Sequence, residues 1–371
     1  MAYEAVIIDN DRVFVHPRGN GDVIPGSSDT YDYRNLQKGI KWAQEQGRKL
    51  VLLGKTYYIN RRLQVDKYNL YFNLDGNYAT IKTTNSDPFV LIDRPVPTDN
   101  SDANVMINTI FNVENLKLEG SSTQVGIRPG PTYGDGEGSY FKHIKGKGLK
   151  LVMDLEFCLN ADIIKPSAVN CLNGWKVQFG QRWGGNNSNS QSNNVRIYKP
   201  RFYAPANAQY GIYYFGCSGG VIDEPIIEGF KTDVGIYCDG NSSTVVKTFN
   251  IINGYHYECV NGSTTAALKV RLAGGKASLD GFYGQYPTIV ADMGATIGYM
   301  EFEFKNMAYA VPLAGKLFNN EGCTWEGEFS TYQSGAIKNS NFASLVKGVP
   351  VSLCGGDSCG SNRFKINEIP R

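Results

Sequence analysis

The chain has 371 residues, among them 42 Gly, 23 Tyr and 18 Phe, with 42% hydrophobic residues, 19% charged residues and a formal net charge of +2. This turn-rich, aromatic composition can bury a long core and excludes an intrinsically disordered chain. Without a basic block there is no nucleic-acid footprint and no polybasic membrane patch, and no run of 18 apolar residues marks a membrane span.

Short strands are expected around residues 5–8 and 13–15, before the turn Gly19-Asn20-Gly21-Asp22. Ser28-Asp29-Thr30 then precedes an amphipathic helix over residues 31–46, capped by Asp29 or Thr30, with Leu36, Ile40 and Ala43 on its apolar stripe and Gly47 at its end. Residues 50–59 follow as strand and turn. From there the helical period disappears. Short alternating runs such as Phe111-Asn112-Val113 and Phe302-Glu303-Phe304 take over, each closed by Gly or Asn.

These runs carry a repeat about 27 residues long: an apolar residue, then Lys, Glu, Asn or Asp, then Pro, Gly or Asn. It reads Leu74-Asp75-Gly76, Val113-Glu114-Asn115, Ile144-Lys145-Gly146, Ile164-Lys165-Pro166, Tyr198-Lys199-Pro200, Asp223-Glu224-Pro225, Ile252-Asn253-Gly254, Leu279-Asp280-Gly281, Phe304-Lys305-Asn306, Trp325-Glu326-Gly327 and Val346-Lys347-Gly348. A step of about 20 to 29 residues suits one turn of a three-sheet parallel β-helix, and the longer intervals would be coils that carry loops. The expected fold is therefore all-β, a right-handed parallel β-helix of about ten to eleven coils with a short N-terminal capping helix. The apolar residue of each motif should point inward and its neighbour outward, which sets Lys199 beside Glu224 and lets Lys305, Glu326 and Lys347 alternate in sign. Asp223 would be the one acid in the inward column, unless the register slips there. Residues 1–30 form an entry and attachment segment, 31–350 the β-helix and 351–371 a tail.

The eight cysteines have no metal-site spacing; Cys217, Cys238 and Cys259 sit in separate coils and read as reduced core residues. The start Met1-Ala2-Tyr3-Glu4 lacks the layout of a signal peptide. Gly-rich, Pro-rich or Asn/Ser-rich intervals at 87–106, 124–140 and 183–194 are expected as loops on a binding face.

Gly21-Asp22, Asp29-Thr30, Ala43 and Gly54-Lys55-Thr56-Tyr57 together resemble the N-terminal region of the pectate-lyase-like right-handed β-helices, which include bacteriophage tail spikes and capsule depolymerases. The proline that precedes the glycine in that family is missing here. The resemblance covers residues 13–59, and it implies a fold more than a chemistry, because the family holds lyases, hydrolases, epimerases, esterases and spikes that only bind.

Candidate chemistry starts from acids, since glycan hydrolysis needs a carboxyl pair and lyases a base. The densest acidic cluster is Asp223, Glu224, Glu228, Asp233, Asp239 and Glu258. Glu224 is set aside as the partner of Lys199. Glu228 is the leading catalytic candidate, expected between Tyr203 and Tyr257 on neighbouring coils, with Glu258 or Asp239 as second acid and Trp183 at the groove edge. The alternative is a solvated glutamate among surface tyrosines. His256 is as readily packed as active, and Asp135-Gly136-Glu137 reads as a turn before it reads as a cation loop. No cofactor and no metal are called for.

Three readings of function compete. The resemblance implies a bacteriophage virion appendage, tail-spike-like and homotrimeric, made in the host cytoplasm; it would join other tail proteins and bind a host surface polysaccharide, with depolymerisation of that polysaccharide as the further activity the resemblance allows. The alternatives are a secreted polysaccharide lyase or glycoside hydrolase working alone, and a structural tail or head-fibre component without glycan activity. No nucleic acid or membrane partner is expected.

Overall fold

The computed structural model describes residues 6–9, 11–18, 20–66, 71–95, 110–133, 138–180, 192–240, 248–272, 275–285, 287, 289–295, 299–310, 316–321, 324–331 and 364–368. Among them strands dominate, and Tyr31–Glu45 is the single helix. Thr30 caps it, its hydroxyl accepting from the Tyr33 amide at 3.2 Å, and Leu36, Ile40 and Ala43 are buried as the apolar spacing required. Asp32 in the first turn is also buried, because it accepts from the Arg18 amide at 2.6 Å and the Tyr58 amide at 2.9 Å. The helix packs on the strands Arg12–Val15 and Thr56–Ile59.

Val6–Asp9 and Arg12–Val15 pair antiparallel; every other strand pairing between described strands is parallel. Each parallel strand stacks on the strand of the next repeat, so residues one repeat apart form columns. One column runs Leu50, Leu74, Val113, Phe141, Ile163, Ile197, Ile222, Ile252 and Leu279. All nine side chains are buried. Apolar residues at every second position in every repeat leave no other face to turn inward.

The turn that ends this run explains where the motif register departs from expectation. Asn115, His143, Lys165, Lys199 and Glu224 all have φ between 47° and 54°, and Gly254 and Gly281 continue the same corner at 60° and 72°. In three repeats the charged motif residue itself takes the left-handed corner, while in the next two a glycine does. The residue before Lys165, Lys199 or Glu224 is consequently half-buried and outward, and Ile163, Ile197 and Ile222 point inward in place of Ile164, Tyr198 and Asp223. Asp223 is thus not in the core column. The exposed Lys199 Nζ does meet Glu224 Oε2 at 2.9 Å. Glu326 pairs with Glu301 and not with the motif residue Lys305, and Lys347 lies outside the described residues.

A second inward feature sets the core's cross-section. Gly174, Gly211 and Gly235 occupy one column, followed by Ala267. A Cβ on Gly174 would stand 3.5 Å from Phe202, one on Gly211 2.9 Å from Ile227, and one on Gly235 2.7 Å from Tyr257. The opposing column Phe202, Ile227, Tyr257 therefore fills the space that the glycines leave, and the Tyr255 hydroxyl is satisfied by the Ala267 carbonyl at 2.8 Å.

Part of the interval expected as a loop at 124–140 is strand: Val125–Arg128 and Thr132–Tyr133 both pair in the ladders. Buried Gln124 ties it down, its Oε1 accepting from the Ser121 amide at 2.9 Å and its Nε2 donating to the carbonyls of Asn85 and Asp87 at 3.0 Å each. Residues 96–106 and 134–137, with Asp135 and Glu137, lie outside the described residues. Cys158, Cys171, Cys217 and Cys238 are buried free thiols and Cys259 is buried as well, and burial pushes the Cys158 thiol up to about 12 and that of Cys171 to about 11.

Substitution of Ile222 or Ile252 by Asp should lower stability by several kcal/mol, since either puts an unpaired charge in the core. Asp223→Asn should melt within a few degrees of the parent. Thermal denaturation followed by circular dichroism distinguishes them, and a collapse of Asp223→Asn with a tolerated Ile222→Asp would restore the other register.

Candidate functional site

Alternation on either side of the Phe202, Ile227, Tyr257 column decides which side chains face out. One outward column carries Val169, Tyr203, Glu228 and Glu258 in successive repeats, and the other carries Arg201, Ile226, His256 and Tyr283. Tyr257 lies between them and is 0% exposed, so it cannot touch a surface ligand. The expected trio Tyr203, Glu228, Tyr257 is therefore corrected to Tyr203, Glu228, Glu258. The reason is the corner: Gly254, not Asn253, stacks on Glu224, which moves every later residue of that repeat by one position.

Glu228, His256 and Glu258 converge. Nε2 of His256 lies 3.0 Å from Oε1 of Glu258 and 3.9 Å from Oε1 of Glu228. One ligand-capable atom from each of the three lies within 4.8 Å of the others, and all three side chains are half-buried. With Nε2 protonated, His256 donates to the Glu258 carboxylate and orients it. Tyr283 packs against the imidazole, with ring centroids 5.0 Å apart and planes tilted by 32°. Tyr203, 39% exposed, and Tyr283, 44% exposed, bracket the acids along the stacking direction.

The backbone shapes the space beside them. Gly229 has φ +89° and interrupts the ladder directly after Glu228, and a Cβ there would stand 2.7 Å from the Ala204 carbonyl oxygen. Such a bulge bends the strand and re-aims its neighbours. It opens a cleft of about 360 Å³ lined by Tyr203, Ala204, Glu228, Gly229, Glu258 and Cys259.

Two carboxyl groups at this separation, next to an imidazole and flanked by aromatic faces, can move a proton onto or off a sugar oxygen while a second carboxylate attacks or stabilises the adjacent carbon. An N/O donor set of this kind could also close on a divalent cation. As they stand, His256 and Glu258 are hydrogen-bonded and Glu228 lies within ion-pair distance of the imidazole.

Asp239 does not join them. It belongs to the column Phe215, Asp239, Arg271, where its Oδ2 accepts from the Tyr213 hydroxyl at 3.2 Å. There Tyr213 and Tyr237 stack at 4.7 Å, and burial, followed by the Asp239 charge, raises both phenols above their ordinary range. Trp183 lies outside the described residues. Tyr283 is the member that sequence reasoning left out, and His256 the one it left undecided between packing and activity; the i, i+2 spacing of His256 and Glu258 was visible, but its match to Glu228 depends on the corner register.

No protein-family model matches the sequence, and no curated protein matches it. Among solved structures the chain is similar to the full-length tailspike protein 2 of Escherichia coli O157:H7 bacteriophage CAB120, at 10% identity and a TM-score of 0.45 over 83% of this chain and 41% of that one. It thus spans about two-fifths of the tailspike's length. It is also similar to the A-module of the Azotobacter vinelandii mannuronan C-5 epimerase AlgE6, at 12% identity and a TM-score of 0.48 over 95% of this chain and 98% of that one. A third is the Streptococcus pneumoniae surface protein and adhesin PfbA, at 10% identity and a TM-score of 0.34 over 94% and 98%.

Tyr257→Ala should cost about 3 kcal/mol or more, as removal of a packed aromatic ring does, while Tyr203→Ala and Tyr283→Ala should melt close to the parent. Differential scanning calorimetry of the three variants checks this, and a tolerated Tyr257→Ala would return that ring to the surface.

Proposed function

We propose that this chain is a glycan-binding and glycan-cleaving virion appendage of the tail-spike type, a right-handed parallel β-helix of ten to eleven coils over residues 31–350. The virion reading is supported by the N-terminal resemblance over residues 13–59. The glycan reading rests on one observation: Glu228 and Glu258 line a cleft together with the exposed Tyr203, and beside it His256, packed on the exposed Tyr283, meets both acids.

Of the reactions open to such a trio, retaining glycoside hydrolysis fits best, because its two carboxyl groups stand roughly 5 Å apart. Glu258, held by the His256 N–H, attacks the anomeric carbon as Glu228 gives its proton to the leaving glycosidic oxygen. The C–O bond breaks and a glycosyl ester forms. Water then attacks that carbon, Glu228 takes the water proton, and Glu258 leaves as carboxylate. Tyr203 and Tyr283 stack on the sugar faces to either side.

Capsule or cell-wall polysaccharides of candidate hosts, incubated with the protein, should lose size and gain reducing ends. Glu228→Gln and Glu258→Gln should each cut turnover at least about a hundredfold without changing the melting temperature. Products that absorb as unsaturated uronates would replace hydrolysis by β-elimination, with His256 as the base. Unchanged turnover in both variants would remove this site from the mechanism, and no binding of any glycan would leave a structural virion component.

A homotrimer is the expected assembly, in line with the resemblance. Multi-angle light scattering should give about three times 40.9 kDa; a monodisperse monomer at micromolar concentration would rule it out.

A further inference from the structure

A second cleft lies elsewhere. It measures about 760 Å³, and its walls include Tyr33, Phe89, Arg61, Arg62, Arg128 and Lys150. Tyr33 comes from the helix; Arg61, Arg62, Phe89 and Lys150 lead into, and Arg128 ends, strands of the series that stacks Leu63–Gln64 on Val90–Asp93, then on Val125–Arg128 and then on Leu151–Glu156. Glu228 belongs to a different series, stacked on Arg201–Tyr203.

The cations here are held in place from behind. Asp93 is fully buried, and its Oδ2 accepts from Arg62 Nη1 at 2.9 Å and from Arg128 Nη2 at 3.0 Å, while its Oδ1 accepts from Arg128 Nε at 2.8 Å. One buried carboxylate thus fixes two guanidinium groups of which it can neutralise one. Arg61 is tied to Asp29 at 3.0 Å and sits over the Tyr33 ring at 5.4 Å. Lys150 is exposed and has no side-chain partner among the described residues. Asp87 is the one acid in the lining, against four cations. Arg62 and Arg128 stand two steps apart in the stack, on either side of the Asp93 level, and Lys150 begins the level after Arg128, at about 5 Å per step, so an extended anionic chain running along the stack would meet cations on both sides of the Asp93 level.

We propose that this cleft is a second, non-catalytic binding site, and that it takes a uronic-acid-bearing polysaccharide. Guanidinium forks match carboxylates in plane and in pairs, and Tyr33 and Phe89 offer apolar faces for sugar rings. Nucleic acid fits less well, because the cations form a single cluster with an acid among them and no extended basic stripe. The site shares with the proposed function the premise of a polysaccharide partner, but its ligand chemistry follows from this cleft alone.

The test uses the full chain carrying Glu228→Gln, titrated calorimetrically with hexasaccharides of galacturonate, alginate and hyaluronan, with maltohexaose as the neutral control and a ten-nucleotide oligothymidylate as the nucleic-acid control. At least one acidic hexasaccharide should bind, weaken as salt rises from 50 to 300 mM, and lose tenfold or more in affinity on Lys150→Glu and on Arg61→Gln, both exposed positions where the fold should tolerate change. Maltohexaose should give no heat. Equal binding of maltohexaose, unaltered affinity in both variants, or no binding of any acidic hexasaccharide would overturn the proposal. Tighter binding of the oligothymidylate would reassign the cleft to nucleic acid. Cleavage is measured separately on the parent chain: if Glu228→Gln leaves turnover intact while uronate binding still depends on Lys150, the catalytic reading fails and this one stands.

Discussion

The structure depends on one steric constraint: repeats stacked in parallel must fill a common cross-section, so what is large on one side of the core must be small on the other. Phe202, Ile227 and Tyr257 are large, and Gly174, Gly211 and Gly235 face them. Any side chain on those glycines would meet a ring, an isoleucine or a backbone carbonyl that has no room to retreat. Once these columns interlock, a slip of one residue would bring charges such as Asp223 inward and turn isoleucines out, and it is therefore strongly disfavoured.

That interlock is also what assembles the candidate site. Because Tyr257 is held inward, His256 and Glu258 on either side of it must face out, and they do so beside Glu228 of the preceding repeat. Strict alternation would leave this surface flat. The bulge at Gly229, possible because glycine accepts φ +89° without a Cβ clash, breaks the flatness next to the acids. Core packing selects the residues, and a local break in the ladder gives them a cleft.

The two clefts handle charge in opposite ways. Around Glu228, two acids share one imidazole and remain half-buried. In the Arg61 to Lys150 cleft the acid is hidden and the cations are presented, because Asp93 sits fully inside and its arginines reach outward past it. A buried carboxylate that accepts from two guanidinium groups satisfies the desolvation it suffers and leaves a net positive surface in front of it.

The amino-acid sequence by itself determined the parallel β architecture, the capped helix from Tyr31 and the inward Val113, Ile252 and Leu279, because these follow from periodicity and capping chemistry that act over a few residues. Glu228 and Glu258 could be picked out on the same grounds, as acids at outward positions near aromatic residues. What only the tertiary structure decided is which residues stand next to one another. Lys165, Lys199 and Glu224 adopt a left-handed corner that residues of their type rarely take, held by bonds to the following repeat such as Lys199 N–H to the Asp223 carbonyl at 2.7 Å. No local preference announces such a corner, and a one-residue error there exchanges Tyr257 for Glu258. The partnership of Glu228 with His256 and Glu258, and the exclusion of Asp239 from it, therefore had to wait for the stacked repeats themselves.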